Sequence, residues 1–231
     1  MSEEKAPQGV DITGKTIAVL GGTGDQGRGL ARRFALAGHT VYIGSRSAER
    51  AAKTANDLVE GESDQVRVHG LDNGEAAAQG DIVIVAVPWD GHRELLVALA
   101  DKLAGKIVVD CVNPLGFDKK GPFALDVPEG SAAQQAAEVL PGSRVTAAFH
   151  HVSAKLLLDP EVAEIDLDVL VLGEDREATD VVRALADSIP GARGVFGGRL
   201  RNAHQVEALT ANLIAVNRRY KTHAGIRITG L

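Results

Sequence analysis
At 231 residues the chain exceeds one minimal domain but falls short of two full-sized ones, so about 150 residues plus a smaller appendage are expected. A net charge of −6 argues against a nucleic-acid-binding surface as its main business, and 3% aromatics leaves any planar ligand mostly against aliphatic side chains and backbone. Cys111 stands alone, which excludes an intrachain disulfide and a cysteine zinc cluster and fits a reducing cytoplasm.

Residues 1–14 are polar, lack the apolar stretch of a secretory signal and read as a loosely ordered leader. Residues 16–20 form a short β-branched apolar run that ends in glycines, as a buried strand does. Residues 27–36 carry helix formers and Gly38 closes them. A strand at 40–43, a helix at 49–58, a weaker strand at 65–69 and a short helix at 75–78 follow. Residues 81–87 are the most strand-like segment, yet too short an apolar run to span a bilayer. A helix at 92–103 and a strand at 107–110 come next, then a Gly-, Pro- and Lys-rich stretch at 116–130 that reads as a long loop. Residues 131–140 are helical and 144–148 form a sixth strand. Beyond a boundary near residue 153 the alternation continues with a strand at 167–172, a helix at 176–188, a small strand around Val195 and Phe196, and a long helix at 202–220. Alternation at this spacing predicts an α/β fold: a Rossmann-type, doubly wound parallel sheet over 15–153, with a small C-terminal α/β portion over 154–231.

Gly22-Thr23-Gly24-Asp25-Gln26-Gly27 satisfies G-x-G-x-x-G between an apolar strand and a helix, the context that gives this pattern meaning. The glycines permit a tight turn and close approach of backbone to a pyrophosphate, and free N–H groups at the helix start face the anion. Thr23 adds a hydroxyl donor. About 20 residues further on, an NAD-binding site carries an acidic group for the ribose 2′-hydroxyl. Here the chain reads Gly44-Ser45-Arg46-Ser47-Ala48-Glu49-Arg50, with no acid directly after the strand. Arg46 offers a planar fork of donors, Ser45 another hydrogen bond, and Arg50 lies one helical turn on; this set points to the 2′-phosphate of NADP.

Pro88 stops the fourth strand at the edge where open α/β sheets bind ligands, which places Val87 beside the nicotinamide half. Val112-Asn113-Pro114 ends the next strand in the same manner; Asn113 reads equally as a ligand to the cofactor and as a turn residue. His150 and His151 follow the sixth strand, where one histidine could orient a ring or carry a proton. On a strand two neighbours point to opposite faces, so at most one is expected in the site. Trp89 reads as a packing anchor. Neither His nor Cys spacing suggests a metal site, and Tyr42 and Tyr220 both lack a lysine four residues on.

Taken in order, residues 18–30 (AVLGGTGDQGRGL), 38–47 (GHTVYIGSRS), 87–89 (VPW), 113–115 (NPL) and 148–150 (AFH), with the stretch 202–231, resemble the reduced coenzyme F420:NADP oxidoreductase family over nearly the whole chain. The resemblance implies an enzyme with NADP(H) as cofactor and coenzyme F420, a deazaflavin, as cosubstrate. It implies reversible hydride transfer between the deazaflavin C5 and the nicotinamide C4, in a cytoplasmic homodimer without nucleic-acid or membrane partners. It further implies that Thr23, Gly24, Asp25 and Gln26 hold the phosphates and that Ser45, Arg46 and Arg50 hold the 2′-phosphate. Val87, Val112, Asn113 and Ala154 fall at cofactor-contacting places, and His150 sits against the deazaflavin without an obligatory catalytic role. The C-terminal portion covers the deazaflavin cleft. One departure is His151-Val152-Ser153, where family members carry Thr-Ile-Pro. Two other functions remain compatible with these residues: an NADPH-dependent reductase of a small carbonyl or imine, with His150 as proton donor, and a non-catalytic NADP redox sensor.

Overall fold
A computed structural model describes residues 10–231. The strands β1 (Ile17–Leu20), β2 (Thr40–Ser45), β3 (Arg67–Asp72), β4 (Ile82–Val85), β5 (Ile107–Asp110), β8 (Arg144–Ala147), β9 (Leu167–Gly173) and β10 (Ala192–Gly198) form one sheet in the order β10-β9-β8-β5-β4-β1-β2-β3. The six strands up to β8 pair in parallel, in the doubly wound order that reverses between β1 and β4. Helices α1 (Asp25–Leu36), α2 (Ala48–Val59), α3 (Asn73–Gln79), α4 (His92–Leu103) and α5 (Ala132–Val139) make the crossovers.

Burial on both faces explains the near-continuous apolar strands. In β1 the alternation splits the side chains: Ile17 and Val19 enter the core beneath α1 and α2, with Leu30, Phe34 and Ile43. Ala18 and Leu20 enter the opposite core, with Leu96, Leu103 and Ala133. Val10 and Ile12, the described end of the expected leader, pack against the first of these cores; its residues 1–9 lie outside the described residues.

Three details go beyond or differ from the sequence reading. First, the six strands expected over 15–153 are parallel, and beyond them β9 joins the same sheet antiparallel to β8, with β10 parallel to β9. A parallel return needs a crossover element. The connection after β8 instead forms the five-residue α6 (Ala154–Leu158), unforeseen in the sequence, which docks on α1. Gly29 makes that docking possible, because a Cβ there would lie 2.6 Å from the Leu157 Cβ. The buried Arg33 then ties the segment down, donating from Nε to Leu157 O (2.9 Å) and from Nη2 to Leu156 O (2.7 Å) and Val162 O (2.8 Å). Second, the stretch expected to be a loop contains an antiparallel hairpin, β6 (Leu115–Asp118) with β7 (Gly121–Ala124). Its turn is set by Asp118 Oδ1, which accepts from the N–H groups of Lys120 and Gly121. Third, β4 ends at Val85 rather than Val87, and β3 lies three residues later than its expected C-terminus allows. After α7 (Arg176–Asp187) and β10, the helix α8 (Ala203–Tyr220) runs beside α5 and β7. Residues after 153 thus extend the edge of the same sheet and add one long helix. No helix among the described residues is long and apolar enough to cross a membrane.

Candidate functional site
The glycine turn leaves β1 and enters α1 under close packing. A Cβ on Gly22 would lie 2.5 Å from Ile43 Cγ2 and 2.8 Å from Val19 O, and one on Gly27 would lie 2.7 Å from the Gly22 Cα. The N–H of Gly22 donates to Gly44 O at 3.0 Å, which fastens the turn to the end of β2. Asn73, which the sequence reading missed, accepts from the Gly21 N–H at 3.5 Å. Helices α2, α3, α5 and α7 begin with side-chain caps from Ser47, Asp72, Ser131 and Asp175, whereas α1 begins at Gly24 with none. The first-turn N–H groups of α1 are therefore left for an external anion. Thr23, Gly24 and Asp25 lie on the open side of the turn. Gln26 reaches across and donates to Phe149 O at 3.3 Å.

One strand away, Ser45 is buried at the end of β2 and its Oγ accepts from the Ser47 N–H at 3.3 Å. Arg46 and Arg50 project into solvent and form no ion pair among the described residues. Glu49 is exposed as well. The parallel pairing of β1 with β2 sets this cationic corner beside the glycine turn.

From Gln26 a cleft of about 380 Å³ runs along the carboxyl edges of the central strands. Val87, Pro88 and Trp89 form one wall, Cys111, Val112 and Asn113 the floor, and the chain after β8 the next wall. Thr210, Leu213, Ile214 and Asn217 of α8 close it. Ala154 does not line the cleft; it opens α6, with its carbonyl toward Gly29. Asn113 ties three elements together: its Nδ2 donates to His150 O (3.4 Å) and its Oδ1 accepts from the Thr210 hydroxyl (3.1 Å).

His150 and His151 both stand along this wall, buried. The strand ends at Ala147, and Phe149 takes a left-handed conformation (φ 65°), rare for a bulky residue, so the alternation of a strand no longer applies. Packing against Phe34, with ring centroids 5.7 Å apart, holds that conformation. His151 Nε2 donates to Val206 O at 2.6 Å, and burial lowers its pKa. Neither ring nitrogen of His150 has a hydrogen-bond partner among the described residues. Burial, reinforced by His151, pushes the His150 pKa down to about 3 against the pull of Asp110, so the ring is neutral. Burial also pushes the Cys111 thiol up, and it donates to Val85 O.

Behind the floor lies a buried polar network that the sequence reading also missed. Asp110 ends β5 fully buried; its Oδ2 meets His92 Nε2 at 2.6 Å and its Oδ1 accepts from the Val112 N–H at 3.0 Å. His92 Nδ1 donates to Gln135 Oε1 at 2.9 Å, and the ring lies 5.5 Å from that of Trp89. Burial opposes the charge on His92, but the Asp110 carboxylate and Gln135 together raise its pKa. Glu207 of α8, buried, accepts from the Ala132 and Ala133 N–H groups at the start of α5. An acid ending an all-apolar strand, and another inside the apolar stripe of a helix, were the available signals.

Fold, glycine turn, cationic corner and edge cleft define a class: α/β oxidoreductases that bind a nicotinamide dinucleotide along the carboxyl edge of the sheet. Residues 16–114 match the sequence model of the family described as NADP oxidoreductase coenzyme F420-dependent. The chain is 44% identical over 222 residues to the F420-dependent NADP reductase of Methanothermobacter thermautotrophicus, covering 93% of this chain and 95% of that one. It is 42% identical over 221 residues to the F420-dependent NADP reductase of Methanothermobacter marburgensis, covering 93% and 98%. A crystal structure of a candidate F420-dependent NADP-reductase from Arthrobacter sp. FB24 superposes with a TM-score of 0.79 at 29% identity, covering 94% of this chain and all of that one. The chain belongs to the coenzyme F420-dependent NADP oxidoreductase family.

Proposed function
We propose that the chain catalyses F420H2 + NADP+ → F420 + NADPH + H+, reversibly. When both are bound, the two redox rings would supply the chemistry, a hydride from C5 of the deazaflavin to C4 of the nicotinamide, with the ring N–H of the reduced deazaflavin losing its proton to solvent. One observation carries this reading beyond the family resemblance: no Asp, Glu, Lys, Arg or Tyr lines the cleft among the described residues. Burial lowers the pKa of its two histidines and raises that of its thiol, so each of these groups favours its uncharged form. A carbonyl or imine reductase needs a proton donor within reach of its substrate; carbon-to-carbon hydride transfer does not.

The residues of the chain then have binding and orienting roles. The uncapped start of α1, with Thr23, Gly24, Asp25 and Gln26, takes the pyrophosphate, and Ser45, Arg46 and Arg50 take the 2′-phosphate. Val87, Val112 and Asn113 confine the nicotinamide half, with Ala154 behind the Ser153 wall. His150, neutral and buried, backs the seat of the deazaflavin, and residues 154–231 complete it. A second copy of the chain on the exposed outer side of α8 makes a homodimer, and the lone reduced thiol suits work in the cytoplasm.

The test is a spectrophotometric assay of purified chain with F420H2 and NADP+. Oxidised deazaflavin and NADPH should accumulate one for one. Reduction of a cyclic imine by NADPH, with no change in the deazaflavin, would refute the proposal.

A further inference from the structure
The helix that closes the cleft is rooted only at its beginning. The buried residues of α8 are Ala203, Val206 and Glu207, and none from 208 to 220 is buried. The side chains that face the cleft, Thr210, Leu213, Ile214 and Asn217, therefore project from a short buried root. Strand β7 runs alongside them but leaves them partly open. Ala203 and Val206 contribute apolar packing against the core that holds Ala132 and Ala133. Glu207 stands beside them as a carboxylate only 1% exposed.

A carboxylate is costly to bury unless its oxygens are engaged, and these are. Oε2 accepts from the Ala132 N–H at 2.9 Å and Oε1 from the Ala133 N–H at 3.1 Å. Ser131 Oγ takes the Gln134 N–H at 3.0 Å, so the first three N–H groups of α5 are satisfied, two of them from α8. From α5 a line of contacts leads to the floor of the cleft. Gln135 holds His92, His92 holds Asp110, and Asp110 holds the Val112 N–H. One turn beyond Glu207, the Thr210 hydroxyl closes the circuit on Asn113 Oδ1. An apolar side chain at 207 would serve for burial alone. Two directional bonds to fixed backbone donors also set the height and rotation of the helix.

We infer that Glu207 is a positioning residue: it seats α8 as the roof of the cleft and so governs capture of the deazaflavin without touching it. The inference rests on the function proposed above and adds to it which residue fixes the roof. Facing Glu207 are Asp110 from the end of β5 and His92 from α4. Glu129, before α5, is paired with Arg93, and Arg201 and His204 are exposed. Burial, with the Asp110 charge, pushes the Glu207 carboxyl from an ordinary 4.5 up to about 7, against the pull of the two N–H groups and His92. An unseated roof would return the carboxyl to water and to its ordinary value. Seating therefore takes up a proton, and its free energy declines as pH rises through about 7. Across about pH 6 to 8 this linkage is worth at most about tenfold in the seating equilibrium.

The experiment measures steady-state kinetics with F420H2 at saturating NADP+ for the wild type, Glu207→Gln and Glu207→Ala. The wild-type KM for F420H2 should rise about threefold to tenfold from about pH 6 to 8. Glu207→Gln keeps a neutral acceptor, so its KM should stay within about twofold of the low-pH wild-type value throughout. Glu207→Ala strands two buried N–H groups, and its KM should rise about tenfold or more at low pH, with a smaller change in kcat. Adenosine 2′,5′-bisphosphate, a probe of the glycine turn and cationic corner, should bind both variants within about twofold of wild type if they are folded. A wild-type KM that is flat over this range overturns the role of Glu207 whether or not the variants fold. A glutamine variant that follows the wild-type profile overturns it too, as does an alanine variant that loses kcat with KM unchanged. A wild type that oxidises no F420H2 overturns instead the function on which the inference rests.

Discussion
Replacing Arg46 by alanine is the sharpest probe of cofactor choice. The side chain is exposed and forms no ion pair among the described residues, so truncation strands no buried partner and leaves the fold intact. Any loss of binding then reports on the ligand. A hydrogen bond to a charged group is worth about 1.5–3 kcal/mol, and the open position of Arg46 beyond β2 holds it to the low end. At about 1.5–2 kcal/mol the Kd for NADP should rise some tenfold to thirtyfold. NAD, which lacks the 2′-phosphate, should change by less than about twofold. Arg50 stands one helical turn further on and should contribute several-fold; because both would share one phosphate, the double variant should lose less than the product of the singles. The chain carries its own reporter, since its single tryptophan, Trp89, lines the cleft and its emission should be quenched as the nicotinamide enters. Titrations of wild type and variant with NADPH and NADH give four dissociation constants. Equal losses for both dinucleotides would show that Arg46 does not read the 2′-phosphate, and the assignment of the cationic corner would fall.

Two further outcomes follow from the site. Asn113→Leu removes both hydrogen bonds that join the β5 exit to His150 and Thr210; at about 0.5–1.5 kcal/mol each, the melting temperature should drop by about 2–10 °C and kcat/KM for the deazaflavin by about tenfold, whereas an unchanged melting temperature would show that this clamp holds nothing together. Stability should also fall as pH rises from about 6 to 8.5, because the folded pKa of His92 lies above its unfolded value near 6.5 and its contribution is lost as pH climbs through the folded value. Burial pushes the Glu207 carboxyl up to about 7, which adds a loss of the same sign; a calorimetric melting temperature that stays flat or rises over this range would contradict the pairing of His92 with Asp110.

How much of this was legible beforehand depends on what kind of constraint each element obeys. The glycine turn was readable because Gly22 and Gly27 sit where a Cβ would collide with β2 and the turn itself, so their identity encodes the geometry. The cationic corner was readable as a substitution for an expected acid at a fixed distance along the chain. The antiparallel return of β9 was not, because it hinges on a docking of Leu157 against Gly29 more than a hundred residues away. The hairpin escaped because β7 carries Pro122 and Gly121, residues that argue against a strand and are tolerated in an isolated two-stranded ribbon. The strand alternation that frames the two histidines stops at Ala147, because Phe149 breaks it. His92, Asp110 and Glu207 were overlooked because a polar side chain looks the same in a sequence whether it is solvated or buried; only the fold reveals that each has a partner.

The placement of charge in this chain has a chemical logic. The His92–Asp110 pair lies behind the floor of the cleft, yet no Asp, Glu, Lys or Arg lines its walls among the described residues. Hydride transfer between two carbon centres requires no acid between the rings, and the uncharged walls suit it. The acidic carboxylate nearest the floor, Asp110, is turned inward: one oxygen is committed to His92 and the other to the Val112 N–H, so it shapes the backbone of the cleft without facing it. His150, buried along the wall, is too weak a base to carry a proton there. The arrangement therefore keeps the buried charge behind the floor and leaves an uncharged middle in the cleft.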